Sequence, residues 1–180
     1  MKYFTAEIWA GWQGDEAAFD RAQKKGTKNR FRYRACLSRL VPKLGTRHGQ
    51  SFTKHSLHDG RLLLFAVSGI AGVSLGKKRA VPETRVEIAV LAGYRQAPVY
   101  RLFYTGVSDI SVQTKNDLFP LDNSRFGDWG YDELLGKRGG MFRHNILFQT
   151  GTEVSIAFHQ FRFATHKAIP SRLKQYANSA

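Results

Sequence analysis

Between Asp128 and Phe163 the chain reads DWGYDELLGKRGGMFRHNILFQTGTEVSIAFHQFRF. Apolar side chains recur there with a period of two. Phe142, Ile146 and Phe148 share one face, as do Val154, Ile156 and Phe158. That period predicts a half-buried antiparallel sheet. Three strands are expected, over Trp129–Leu135, over Met141–Gln149 and from Glu153 onward. Gly139-Gly140 suits the first turn, because glycine takes φ > 0 without steric cost. Thr150-Gly151-Thr152 suits the second. After Phe158 the alternation slips to Phe161 and Phe163, which predicts a bulge near His159 or Gln160.

A helical period governs the N-terminal part. Phe4, Ile8 and Trp12, with Trp9 beside them, mark a short amphipathic helix. Gly14 interrupts it, and Asp15 is placed to cap the next helix. Phe19, Ala22, Tyr33, Leu37, Leu40, Val41 and Leu44 fall within roughly 100° of one another at about 100° per residue. Gly26 is a candidate break or kink, at about 1 kcal/mol against alanine. Pro42 lacks a donor and clashes with the preceding turn, so the regular helix should end near Val41.

Gly45 to Gly60 is polar and reads as a loop. Strands are expected at Arg61–Ser68, Arg85–Leu91 and Val99–Thr105. Gly69 to Glu83 reads as a mobile basic hairpin loop and Gly106 to Phe126 as an irregular connection. Ile169 to Ala180 reads as a polar basic tail that frays. The expected architecture is α+β in a single domain, residues 1–180. A helical arm (1–48) packs on a five- to seven-stranded antiparallel sheet (52–166), followed by a flexible basic tail (169–180).

Charge changes this picture more than composition does. With 42% hydrophobic and 13% aromatic residues, 180 residues suffice for a buried core. The net charge is +14. Between Asp20 and Asp59 there is no acidic residue, and eleven basic ones stand there. Six of the cations, Arg21, Lys25, Lys28, Arg32, Arg39 and Lys43, fall in a band roughly 60–80° wide on the side away from the apolar line. Lys77, Lys78 and Arg79 form a second cluster. Ordinary exposed helices mix signs to gain i, i+4 pairs. A stripe of one sign forgoes them and repels itself, which makes sense if an anionic partner neutralises it. No apolar run approaches the roughly 18 residues needed to cross a bilayer, and no secretory signal is expected. Cys36 is the one cysteine, so an intramolecular disulfide is excluded and a reducing cytoplasm is the expected setting.

Candidate chemistry is sparse. The six histidines show neither an HExxH arrangement nor a Cys/His spacing for zinc, so neither metal nor cofactor is expected. His58-Asp59 stands where a strand begins, which fits a structural role. The glycines at 69, 72 and 76 lack the GK[ST] ending of a phosphate loop. His144 is the histidine of interest. Its parity places it among Phe142, Ile146 and Phe148, where a polar group requires a partner. Tyr131, Asp132 and Glu133 on the preceding strand are the candidates.

The chain resembles an uncharacterised family of small bacterial α+β proteins. The resemblance rests on KYFTAEIW, SLHDGRLLLF, YRLFYTGV and WGYDELL…FRHNILF…TEVSIAF, and it covers most of the chain. Similar sheet-plus-helix proteins occur among the immunity proteins of bacterial toxin systems. That likeness implies a non-catalytic protein-binding role, with an acidic protein, such as a cognate toxin, as partner. Immunity proteins that face nucleases are usually acidic, whereas this chain is basic, so a nuclease is not the expected partner. The alternative is a nucleic-acid-binding protein that uses the same stripe on phosphates, although no base-reading module accompanies it.

Overall fold

A computed structural model describes residues 1–70, 83–92, 98–114 and 126–167. Four helices come first: α1 (Ala6–Trp12), α2 (Glu16–Leu40), and the single turns α3 (Thr46–Gly49) and α4 (Ser51–Lys54). Eight strands follow: β1 (Gly60–Ile70), β2 (Glu83–Leu91), β3 (Val99–Thr105), β4 (Asp109–Gln113), β5 (Asp128–Gly136), β6 (Phe142–Phe148), β7 (Glu153–Phe158) and β8 (Gln160–His166). The class is α+β and, among the described residues, the sheet is antiparallel throughout, with eight strands rather than five to seven. One of the extra strands is β4, inside the stretch that turn residues mark as irregular. The other is β8.

The Asp15 carboxylate caps α2, accepting from the Ala18 N–H at 2.8 Å. The helix then runs unbroken through Gly26. The glycine makes room for a neighbour: a Cβ there would lie 2.5 Å from Cζ2 of Trp12. Contact with α1 therefore overrides the intrinsic weakness of glycine in a helix. At the other end, Pro42 falls in a 3-10 turn, Val41–Leu44, and the regular helix stops at Leu40. The polar stretch 45–60 is not all loop, since α3 and α4 lie within it. Phe19, which the spacing puts on the apolar line, is 44% exposed.

The strand order is β4-β7-β6-β5-β1-β2-β3-β8. In a flat sheet β7 and β8 would stand about 29 Å apart, at roughly 4.8 Å per step. His159 alone joins them, and two Cα steps reach only about 7.6 Å. The sheet therefore closes on itself. Thr105 pairs with Gln160 and Asp109 with Ala157, so β3–β4 and β7–β8 behave as two long strands, each bent once. The bends meet, because Gly106 (φ +61°) lies against the His159 side chain. The slip in alternation after Phe158 is thus a corner where the strand changes neighbours, rather than a simple bulge.

Closure is thin between β1 and β5, which pair at Gly60↔Trp129 and Arg61↔Asp128. Beyond that point the outer edge of β5 turns to α2. The Leu134 N–H donates to the Tyr33 hydroxyl at 2.9 Å. A helix covering an open edge removes a site for stray strand pairing. Inside the ring, Val86, Ile88, Leu102, Trp129, Leu134, Ile146, Phe148, Val154, Ile156 and Phe158 form one core with Tyr33, Leu37 and Leu40 of α2.

A bulge at Gly130 sets the register of β5. Trp129 pairs with Phe148 and Tyr131 with Leu147, so one residue is extra. A Cβ on Gly130 would lie 2.8 Å from the Leu147 carbonyl oxygen, which is backbone and has nowhere to retreat. Gly130→Ala should therefore destabilise the fold by about 1–3 kcal/mol, the usual range for overpacking. Gly69→Ala is the control, because a Cβ there meets nothing within 4 Å. Denaturant melts of the two variants check this, and equal stability would refute the close approach.

Candidate functional site

The bulge decides which side chains enter the ring. Past Gly130, Asp132 joins Trp129 on the inner face, while Tyr131 and Glu133 point outward. Asp132 stands opposite Ile146, and Leu134 opposite His144. His144 is fully buried. Its Nε2 lies 3.0 Å from Asp132 Oδ2 and its Nδ1 lies 2.7 Å from the Tyr104 hydroxyl. A neutral imidazole satisfies both contacts in one tautomer: Nε2–H donates to the carboxylate, and Nδ1 accepts from the phenol. The Trp129 indole N–H donates to Asp132 Oδ1 at 3.2 Å. Phe52 of α4 closes the other side, with its ring edge-on to His144 at 5.0 Å.

Of the three candidate partners for His144, Asp132 makes the contact and Tyr131 and Glu133 do not. Plain alternation from Trp129 would have put Tyr131 and Glu133 on its face, and the extra residue at Gly130 shifts them off. Outside, Tyr131 stacks on Phe4 at 5.3 Å and on His58 at 4.9 Å. Glu133 is buried beneath the N-terminal segment. It accepts from the Lys2 and Tyr3 backbone N–H groups and, at 3.1 Å, from Asn145 Nδ2. His58 Nδ1–H donates to the Gly130 carbonyl at 2.5 Å, and the Asp59 N–H donates to the Trp129 carbonyl at 2.8 Å. The His58-Asp59 pair thus fastens the start of β1 to the bulge. Asp59 has φ +59°, a left-handed position that aspartate tolerates.

Asp132 is the one member of this relay that meets solvent, with a side chain 24% exposed. It stands in a cleft of about 810 Å³ between α2, the segment from Ser51 to His58 and the inner strands. Leu102, Phe161 and Phe163 share the floor, and Arg30 and Arg34 of α2 stand at the rim. Tyr104 is fully buried, so the relay opens to the cleft through the carboxylate alone. Ser38 and Ser51 also line the cleft, but their hydroxyls donate to the Ala35 and His48 carbonyls and neither meets a histidine base. Among the described residues no group of three His, Cys, Asp or Glu is placed to hold a metal. The Asp132 carboxylate offers the cleft a rigid hydrogen-bond acceptor.

Arg21, Lys25, Lys28, Arg32 and Arg39 are exposed on α2, and Lys43 is exposed on the 3-10 turn that follows. At 100° per residue their band centres about 115° round the helix from the buried line of Ala22, Gly26, Tyr33, Leu37 and Leu40. It therefore occupies a flank. Among the described residues Lys25 alone of the six has an ion pair, with Glu7 at 2.9 Å. Lys77, Lys78 and Arg79 lie outside the described residues. Arg30 and Arg34 occupy the other flank, which is why the stripe does not contain them. That angular separation was the available signal for the cleft.

Two predictions follow from the relay. His144→Ala leaves the Tyr104 hydroxyl and the Asp132 carboxylate each short of a partner, and should cost about 1–3 kcal/mol in a denaturant melt. Wild-type stability would show that the contacts are not formed. The second concerns alkaline pH. Burial, with the Asp132 charge adding to it, holds the Tyr104 phenol well above the usual tyrosine range, and burial leads for Tyr33 too. An unfolded tyrosine ionises near pH ~10, whereas these stay neutral in the fold. Their contribution is therefore complete below about pH 10 and is lost as pH rises further. Tyr104→Phe should be less stable than wild type at neutral pH, and thermal melts should show that gap narrowing as pH is raised past about 10.

No protein-family model, curated protein or solved structure matches the chain, so the reading of its function rests on its own residues.

Proposed function

We propose that this chain is a non-catalytic protein-binding module, immunity-like, that neutralises an acidic protein through the basic flank of α2. The observation that carries the reading is the exposed single-sign row Arg21, Lys25, Lys28, Arg32 and Arg39 on α2 with Lys43 on the 3-10 turn that follows it. Residues 21 to 43 span about 33 Å at 1.5 Å per residue, the scale of a protein interface. A row of like charges left without counter-ions repels itself, and an acidic surface removes that repulsion on contact. Phe31, 77% exposed, stands one turn from Lys28 and supplies an apolar anchor beside the charges. The cytoplasm is the proposed setting, in keeping with the lone Cys36.

Nucleic acid is the second reading, favoured by the same row, since cations spaced along a rod also match a line of phosphates. Charge on an exposed flank contributes little to folding, so Arg32→Glu with Arg39→Glu should leave the melting curve nearly unchanged. Against a partner captured from lysate and then purified, the double reversal should slow association at low salt, and Phe31→Ala should speed dissociation. Binding to duplex DNA would instead fall log-linearly with salt, at a slope near −0.9 per phosphate neutralised. Full affinity for every anionic partner after both reversals would sink both readings.

A further inference from the structure

The cleft on the other flank of α2 is built differently. Its volume of about 810 Å³ lies within the range of small-molecule sites. Among the described residues a single carboxylate, Asp132, stands in it, and Arg30 and Arg34, one helical turn apart, stand at its rim. Aromatic rings lie along two walls: Tyr131 against His58 at 4.9 Å and 29°, and Phe163 against His55 at 5.1 Å and 20°. We propose that this cleft binds a guanine nucleotide, the base on Asp132 and the phosphate between Arg30 and Arg34.

The carboxylate carries the choice of base. Oδ1 accepts from the Trp129 indole and Oδ2 from His144, one bond each. Each carboxylate oxygen has a second lone pair, so each can accept one more bond, and the side chain meets the cleft. Guanine offers two parallel N–H donors on one edge, the same fork that makes arginine–carboxylate pairs bidentate. Adenine sets one donor beside an acceptor nitrogen on that edge, and the nitrogen would face a carboxylate oxygen. A free guanidinium has the right fork but the wrong charge for a rim of two arginines on a chain of net charge +14. A nucleotide supplies donors at one end and negative charge at the other. The buried line Tyr104–His144 holds the carboxylate at a fixed angle before any ligand arrives, which reduces the ordering that binding requires.

Isothermal titration of the whole chain tests this, with GMP as the probe and guanosine, AMP and free arginine as comparators. GMP should bind more tightly than AMP by about 5- to 150-fold, the discrimination of one bidentate base contact. Asp132→Asn should abolish that preference. Arg30→Ala with Arg34→Ala should weaken GMP and spare guanosine. That exposed pair lies outside the relay, so it reports even if Asp132→Asn fails to fold. No heat from GMP at millimolar concentration, AMP equal to GMP, arginine tighter than GMP, or an arginine pair that can be removed without effect would each overturn the proposal. Arg32→Glu with Arg39→Glu should leave GMP affinity unchanged. Loss there would assign the nucleotide to the basic flank and overturn the cleft as its site, so the two readings fail separately.

Discussion

Two adjacent carboxylates on β5 cannot be left unpaired, and much of the fold follows from how each is satisfied. Asp132 and Glu133 point to opposite faces of a curved sheet, and both are shielded from water to a large extent. An ionised carboxylate in such a place costs several kcal/mol unless donors converge on it. Inside the ring, Trp129 and His144 converge on Asp132, and Tyr104 in turn satisfies His144. Outside, the backbone of Lys2 and Tyr3 and the Asn145 amide converge on Glu133. The second set fixes where the N-terminal segment lies. That placement lets Phe4 and α1 cover Tyr131, and lets Trp12 sit over Gly26 of α2.

The closed sheet explains why α2 is indispensable. β1 and β5 pair over two residues, which leaves the rest of that β5 edge without a partner strand among the described residues. Tyr33 reaches that edge from the buried line of α2, and Leu37 and Leu40 carry the core onto the helix. A helix held along one line has two flanks to spare. One bears the basic row, the other bears Arg30 and Arg34 above the cleft. The same element thus serves the core, a charged surface and a pocket, because 3.6 residues per turn deal its side chains to three directions.

Periodicity determined a good deal. The period of two in β6 and β7, the capped α2 and the turns at Gly139-Gly140 and Gly151 were legible because each depends on neighbours in sequence. So was the single sign of the α2 flank, which is a matter of residue identity. What the tertiary structure alone decided turns on contacts distant along the chain. Gly26 looked like a break until Trp12 occupied the space. His159 looked like a bulge until β8 was found beside β3, far from β7 in the order of strands. Asp132 rather than Tyr131 or Glu133 meets His144 because one extra residue at Gly130 moves every later side chain of β5 to the other face. Alternation is a rule of the single strand, whereas a bulge is set by the partner strand. The cleft likewise needs Arg30 from α2, His55 from the segment before β1, Asp132 from β5 and Phe163 from β8. Folding brings these four together, and no local pattern in the sequence joins them.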